Sequence, residues 1–96
     1  MDYIFEIEDK SGRKIHLSKE RWNHIRKKHP EVEDFELIKE TLLKYDKSLS
    51  NIYEHSVYYF YKFFKHKKPP KRYLCVAIKF LNGEGYVITA YFDKKI

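Results

Sequence analysis

Two histidines lie five residues apart in the basic stretch RWNHIRKKHPEV, which begins at Arg21. The ordinary pKa of histidine is near neutrality, so His24 and His29 are candidates for acid–base chemistry. On a regular helix of about 100° per residue the two side chains point about 140° apart. They therefore cannot share one metal ion as histidines at positions i and i+4 can.

Each histidine also has a structural interpretation. His24 lies on a basic helix face beside Arg21 and Lys28, where it is either solvated or presented to a phosphate. His29 falls at the expected helix end, where the dipole favours an imidazolium, and a half-buried capping role is the alternative to catalysis. Helix periodicity favours His24 as the free group, and which of the two faces the open side of the sheet stays open.

A second basic segment, KFFKHKKPPKR, contains six Lys or Arg residues and no acid. Its prolines stiffen the chain and lower the entropy lost on binding, so the segment is a candidate phosphate-binding flap; a solvated loop is the alternative. Aromatic side chains beside it can stack on bases. Together with the first helix, the candidate RNA-binding cations are Arg21, Arg26, Lys28, Lys65, Lys67, Lys68, Lys71 and Arg72.

Hydroxyl-bearing residues on the expected strands form a third candidate group. Tyr59, Tyr61 and Tyr91 can stack on bases or donate hydrogen bonds, although most tyrosines are expected to be core residues with a solvated hydroxyl. Thr89 falls on the same strand face as Tyr91. An exposed hydroxyl pair at this place can hold a phosphate oxygen.

The net charge of +6, from 20 basic and 14 acidic residues, favours a polyanionic partner such as RNA. The single cysteine, Cys75, excludes an internal disulfide and is typical of a reducing, cytoplasmic compartment. It lies in an apolar run, so it is expected to be a small buried residue. No apolar run is long enough to span a bilayer, and no membrane contact, cofactor or metal ion is expected.

The elements that position these residues follow from periodicity and turn residues. Strands over residues 3–8 and 13–17 form an N-terminal hairpin around Gly12. Ser18 caps a helix over 19–28, and a second helix covers about 33–45. Residues 46–51 are expected to be a loop. Three further strands are predicted over 57–64, 73–81 and 85–92, the last two joined as a hairpin.

The predicted fold class is α+β, with the N-terminal hairpin and two helices packed on an antiparallel sheet of three to four strands. Residues 1–96 are expected to form a single domain. Strand alternation places Leu74, Val76 and Ile78 on the helix-covered face, with Ile88 and Ala90 able to join them.

In order and spacing, the sequence resembles the phage-associated (PBECR-like) branch of the barnase/EndoU/colicin/RelE (BECR) nuclease superfamily. The stretches that carry this resemblance are HLSKERWNHIRKKHPEV, then VYYFYK, YLCVAIKF and GYVITAYF. The resemblance covers about Ile15 to Phe92. It implies helices packed on a four-stranded antiparallel sheet. It also implies a metal-independent ribonuclease, often a toxin, that makes the RNA 2′-hydroxyl attack the adjacent phosphate.

Carried over to this chain, the resemblance assigns either His24 or His29 to the acid–base role. It makes Lys62 the cation that stabilises the phosphate. Tyr61 or Tyr59 is then a hydrogen-bond donor or a stacking platform for a base. Thr89 and Tyr91 complete the catalytic site. Lys62 and Tyr61 lie on opposite faces of a regular strand, so both serve one site only if a bulge intervenes. Lys65, Lys67, Lys68 or Arg72 are alternative cations.

The first interpretation is therefore a metal-independent endoribonuclease, toxin-like, with RNA as substrate and an acidic antitoxin or inhibitor protein as a possible partner. The alternative is a non-catalytic RNA- or protein-binding domain that retains the fold.

Overall fold

The computed structural model describes residues 3–95, in which two helices pack on a six-stranded mixed sheet. The elements are β1 (Tyr3–Glu8), β2 (Lys14–Ser18), α1 (Lys19–Lys28), α2 (Phe35–Lys44), β3 (Lys47–Ser50), β4 (Val57–Phe63), β5 (Tyr73–Leu81) and β6 (Glu84–Asp93). The sheet order is β1-β2-β6-β5-β4-β3. The α+β class is confirmed, but the sheet is larger than predicted.

Two features enlarge the sheet. The N-terminal hairpin joins it through a short parallel pairing of β2 with β6, at Ile15–Gly85 and His16–Tyr86. Residues 47–50, expected to be a loop, form the edge strand β3, which pairs antiparallel with β4. All four residues of β3 are exposed, and only Leu49 is large and apolar, so the sequence has no hydrophobic pattern that predicts this strand.

Local capping sets the helix bounds. The Ser18 hydroxyl accepts a hydrogen bond from the Arg21 amide at 3.1 Å, which confirms the predicted start of α1. Asp34 caps α2 in the same way, so that helix begins two residues later than expected. Within residues 3–95, no helix is long and apolar enough to cross a bilayer.

The hydrophobic core lies between the helices and one face of the sheet. Its fully or nearly fully buried members are Ile15, Leu17, Ile25, Val32, Ile38, Leu42, Phe60, Phe64, Leu74, Val76, Ile78, Val87, Ala90 and Phe92. A β-bulge shifts the β5–β6 register between Ala77 and Ile78. Because of this bulge, Val87 takes the core position expected for Ile88, and Tyr86 moves to the opposite face.

Helix α1 runs beside β6. Strand β2 pairs with β6 at two positions only, and α1, which follows β2 directly, contacts β6 further along. Ile25 in the middle of α1 is fully buried in the core. Arg21 near one end of α1 lines a pocket with Tyr86, and His29 just past the other end contacts Tyr91. Both ends of α1 therefore reach the face of the sheet that lies away from the core.

Candidate functional site

The open face of the sheet, opposite the core, carries a row of polar and aromatic side chains. Directly paired residues of antiparallel strands share a face. Tyr61 of β4 pairs with Cys75 of β5, which pairs with Tyr91 of β6. The adjacent row contains Tyr59 and Thr89, which both pair with Ala77. We call Tyr59, Tyr61, Cys75, Thr89 and Tyr91 the tyrosine cluster.

Burial controls the protonation of this cluster. It raises the pKa values of Tyr61 and Tyr91 well above the ordinary tyrosine range, and the neighbouring Cys75 and Asp93 act in the same direction. Burial also raises the pKa of the Cys75 thiol, although hydrogen bonds from the Tyr91 and Tyr61 hydroxyls oppose that shift. The two phenols and the thiol are therefore neutral at physiological pH, and the phenols are hydrogen-bond donors.

Two further polar groups adjoin the cluster. Asp93 follows Tyr91 on the same face of β6, and its negative charge contributes to the raised pKa values of Tyr61 and Tyr91. The Asn51 side-chain amide donates a hydrogen bond to the Tyr59 hydroxyl at 2.9 Å. That hydroxyl keeps its own proton for another acceptor.

His29 reaches the cluster from the end of α1. Its amide donates to the Ile25 carbonyl at 2.7 Å, but its own backbone has left the helical conformation, as expected for a residue before proline. The imidazole centroid lies 5.6 Å from the Tyr91 ring centroid, and Nδ1 lies 3.7 Å from the Glu31 carboxylate. The side chain remains 34% exposed, so a substrate can reach it.

His24 lies elsewhere. It is exposed in the middle of α1, one turn from Arg21 and Lys28 as the periodicity predicts. Of the two candidate histidines, the structure brings His29 to the tyrosine cluster and leaves His24 in solvent.

The side chains of Lys62 and Tyr61 lie on opposite faces of the sheet, as strand alternation requires. The Lys62 ammonium lies 3.2 Å from Glu40 of α2 and 4.6 Å from the Phe64 ring centroid, on the helix side of the sheet. Strand β4 carries no register shift that could turn it to the other face. The cation beside the cluster is Lys47 of β3, which pairs directly with Tyr61. Among residues 3–95, Lys47 has no carboxylate partner.

The remaining predicted cations divide into two groups. Lys28, Lys65, Lys68 and Lys71 are exposed. Arg26, Lys67 and Arg72 instead hold backbone together. Arg26 donates to the Pro30 and Val32 carbonyls, Lys67 to the Glu31 carbonyl, and Arg72 to the Lys67 carbonyl. Lys67 also contacts the Glu33 carboxylate and the Phe92 ring.

Sequence reasoning did not select Lys47, Asp93 or Cys75 for the site. Asp93 lies two residues after Tyr91, so strand alternation alone could have included it. Lys47 belongs to β3, where the sequence predicts a loop. Cys75 is buried as predicted, but its position between Tyr61 and Tyr91 depends on the strand register.

Comparisons with models of known protein families, with curated proteins and with solved structures give no significant match. Within residues 3–95, no three His, Cys, Asp or Glu side chains are grouped so as to hold a metal ion.

Proposed function

We propose that the chain is an endoribonuclease that acts without a metal ion, with His29 and the tyrosine cluster as its active site. The observation that carries this proposal is the contact of His29 with Tyr91, which brings an imidazole next to a set of protonated hydroxyls. The net charge of +6 suits a polyanionic substrate. The motif resemblance adds RNA cleavage as the specific reaction.

The proposed reaction needs one proton removed and one delivered. A general base takes the proton of the RNA 2′-hydroxyl, and the oxygen attacks the adjacent phosphorus. The 5′-oxygen of the next nucleotide leaves and receives a proton from a general acid, which yields a 2′,3′-cyclic phosphate and a 5′-hydroxyl end. His29 is the acid–base group in this proposal, and Asp93 is the second titratable group beside the cluster.

Phosphate stabilisation falls to the remaining groups. Because burial keeps Tyr61 and Tyr91 protonated, their hydroxyls can donate to the non-bridging oxygens of the transition state. Thr89 supplies another hydroxyl on the same face. Lys47 takes the cation role that the resemblance assigns to Lys62, because Lys47 lies beside Tyr61 and Lys62 is paired with Glu40 behind the sheet.

The test is cleavage of a single-stranded RNA in EDTA by the wild type, His29→Gln and His24→Gln. The expected result is cleavage by the wild type and by His24→Gln, and a fall of about 100-fold or more for His29→Gln, the usual contribution of one acid–base group. Loss of activity in EDTA would contradict the metal-free mechanism. RNA binding without cleavage by all three proteins would favour the alternative, a binding domain.

The toxin-like role is a further part of the proposal and rests on the motif resemblance. A protein inhibitor of such an enzyme must cover the open face, where Lys47 is exposed together with Leu49 and Phe63. An acidic partner with an apolar centre fits that surface. Growth arrest on expression, relieved by His29→Gln, is the expected result; growth unaffected by the wild type would contradict it.

A further inference from the structure

A second group of rings occupies the other end of α1, on the same open face. The His16 imidazole lies between Tyr3 and Tyr86, with ring centroids 4.8 Å and 5.0 Å away. A pocket of about 290 Å³ adjoins these rings. We call it the Tyr86 pocket; it is lined by Tyr3, His16, Ser18, Arg21, Tyr86 and Val87.

The His16 ring is enclosed by its neighbours. It is only 5% exposed, and its two nitrogens lie 2.7 Å from Glu6 and 2.5 Å from Glu84. The contact with Glu84 is a hydrogen bond that orients the ring, and neither carboxylate lines the pocket. Tyr3 and Tyr86 stay partly exposed, so ring surface remains for a ligand. A platform ordered before binding loses little entropy when a ligand arrives.

The chemistry of the lining matches a nucleotide. Aromatic rings stack on nucleobases of any sequence, and a guanidinium binds phosphate through two parallel hydrogen bonds. Arg21 is exposed and supplies that guanidinium. The volume is close to the lower bound for small-molecule pockets, which suits a single nucleotide.

The position of the pocket connects it to the proposed active site. Tyr86 pairs with Lys79, and Tyr91 pairs with Cys75, so four residue steps of β5 separate the two rows. At about 3.4 Å per residue the rows are about 14 Å apart on the same face. A few nucleotides of an extended single strand span this distance, and α1 follows the same line from Arg21 to His29.

We propose that the Tyr86 pocket is a nucleotide-binding subsite that holds one base and one phosphate of the RNA strand at a distance from the cleaved bond. This inference rests on the proposed function for its substrate. The pocket itself, however, can be tested without any cleavage.

The binding test is an NMR titration of the ¹⁵N-labelled protein with adenosine monophosphate, adenosine and inorganic phosphate. Adenosine monophosphate is expected to bind most tightly and to shift the amides of Tyr3 and Tyr86. Tyr86→Leu should weaken it about 5- to 100-fold, the effect of losing one base stack, whereas Tyr86→Phe should keep it. Arg21→Gln should reduce binding to the level of adenosine. Tyr53→Leu and Lys27→Gln are the matched controls.

Binding of adenosine monophosphate that maps to the tyrosine cluster alone, or that resists Tyr86→Leu and Arg21→Gln, would overturn the inference. If Tyr86→Leu proves unfolded by circular dichroism, Tyr3→Leu and Arg21→Gln decide the question. A second measurement is the KM for an RNA oligonucleotide, which should rise in Tyr86→Leu. Cleavage that depends on His29 but not on Tyr86 would refute the subsite alone; nucleotide binding without cleavage would refute the nuclease alone.

Discussion

Gly85 stands at the junction that attaches the N-terminal hairpin to the sheet, and it has no room for a side chain. A Cβ placed on it would lie 2.5 Å from Ile15 Cδ1, 2.8 Å from Phe80 Cε1 and 2.9 Å from Ile78 Cγ2. Ile15 and Ile78 are fully buried, so neither can withdraw. Overpacking of this kind costs about 1–3 kcal/mol. With three overlaps, we expect Gly85→Ala to cost about 2 kcal/mol, which lowers Tm by about 8–16 °C.

Thermal and urea unfolding measure this cost, and a double-mutant cycle tests its cause. Ile15→Val removes Cδ1, the nearest atom, and alone should cost about 0.5–1.5 kcal/mol. In the Gly85→Ala background it should cost less, with a coupling of about 1 kcal/mol. Gly12→Ala is the control, since its φ of +86° is strained but no atom lies within 4 Å of the added carbon. Additive effects of Gly85→Ala and Ile15→Val would refute the steric argument.

Two further predictions concern the open face. Because burial raises the pKa of Tyr61 above 10.0, the folded state keeps a proton that the unfolded chain loses at high pH. The unfolding free energy should therefore be insensitive to this group below about pH 9 and fall above it, by at most about 1.4 kcal/mol per pH unit. Tyr61→Phe should lessen that fall in urea titrations, whereas Tyr53→Phe, at a 91% exposed position, should not; equal slopes would contradict the assignment. Lys47→Gln should reduce the salt dependence of RNA binding by about 0.7 in log–log slope, the value for one phosphate contact of a single strand, and Lys62→Gln should leave it unchanged. If Lys62→Gln reduced the salt dependence more than Lys47→Gln, the RNA phosphate would be bound by Lys62 on the helix side of the sheet, and the assignment to Lys47 would be wrong.

The elements with strong local signals could be predicted from the sequence. Strand β1, helix α1 and strand β5 have the predicted bounds, because each combines a clear periodicity with residues that mark its ends. For α1 these residues are Ser18 before the helix and Pro30 after it. The turn between β5 and β6 was also predicted. Asn82 and Gly83 both have positive φ there, as a tight hairpin turn requires.

The remaining features depend on tertiary contacts that local patterns do not encode. The edge strand β3 is exposed on every residue and owes its form to pairing with β4. The parallel pairing of β2 with β6 joins residues far apart in sequence. The bulge in β6 puts Val87 in the core and Tyr86 on the open face, where Tyr86 lines the pocket named after it, and regular strand alternation does not predict this exchange.

Pro30 accounts for the different positions of the two histidine side chains. A helix that continued through His29 would point its side chain about 140° away from His24, along the stripe that carries the buried Ile25. The helix instead ends at Lys28, and His29 adopts φ −133° and ψ 69°, outside the helical region. The imidazole then extends past the edge of β6 to Tyr91 while its amide still bonds to Ile25. One residue thus closes the helix and reaches Tyr91, so its position at the helix end does not prevent the acid–base role that we propose for His29.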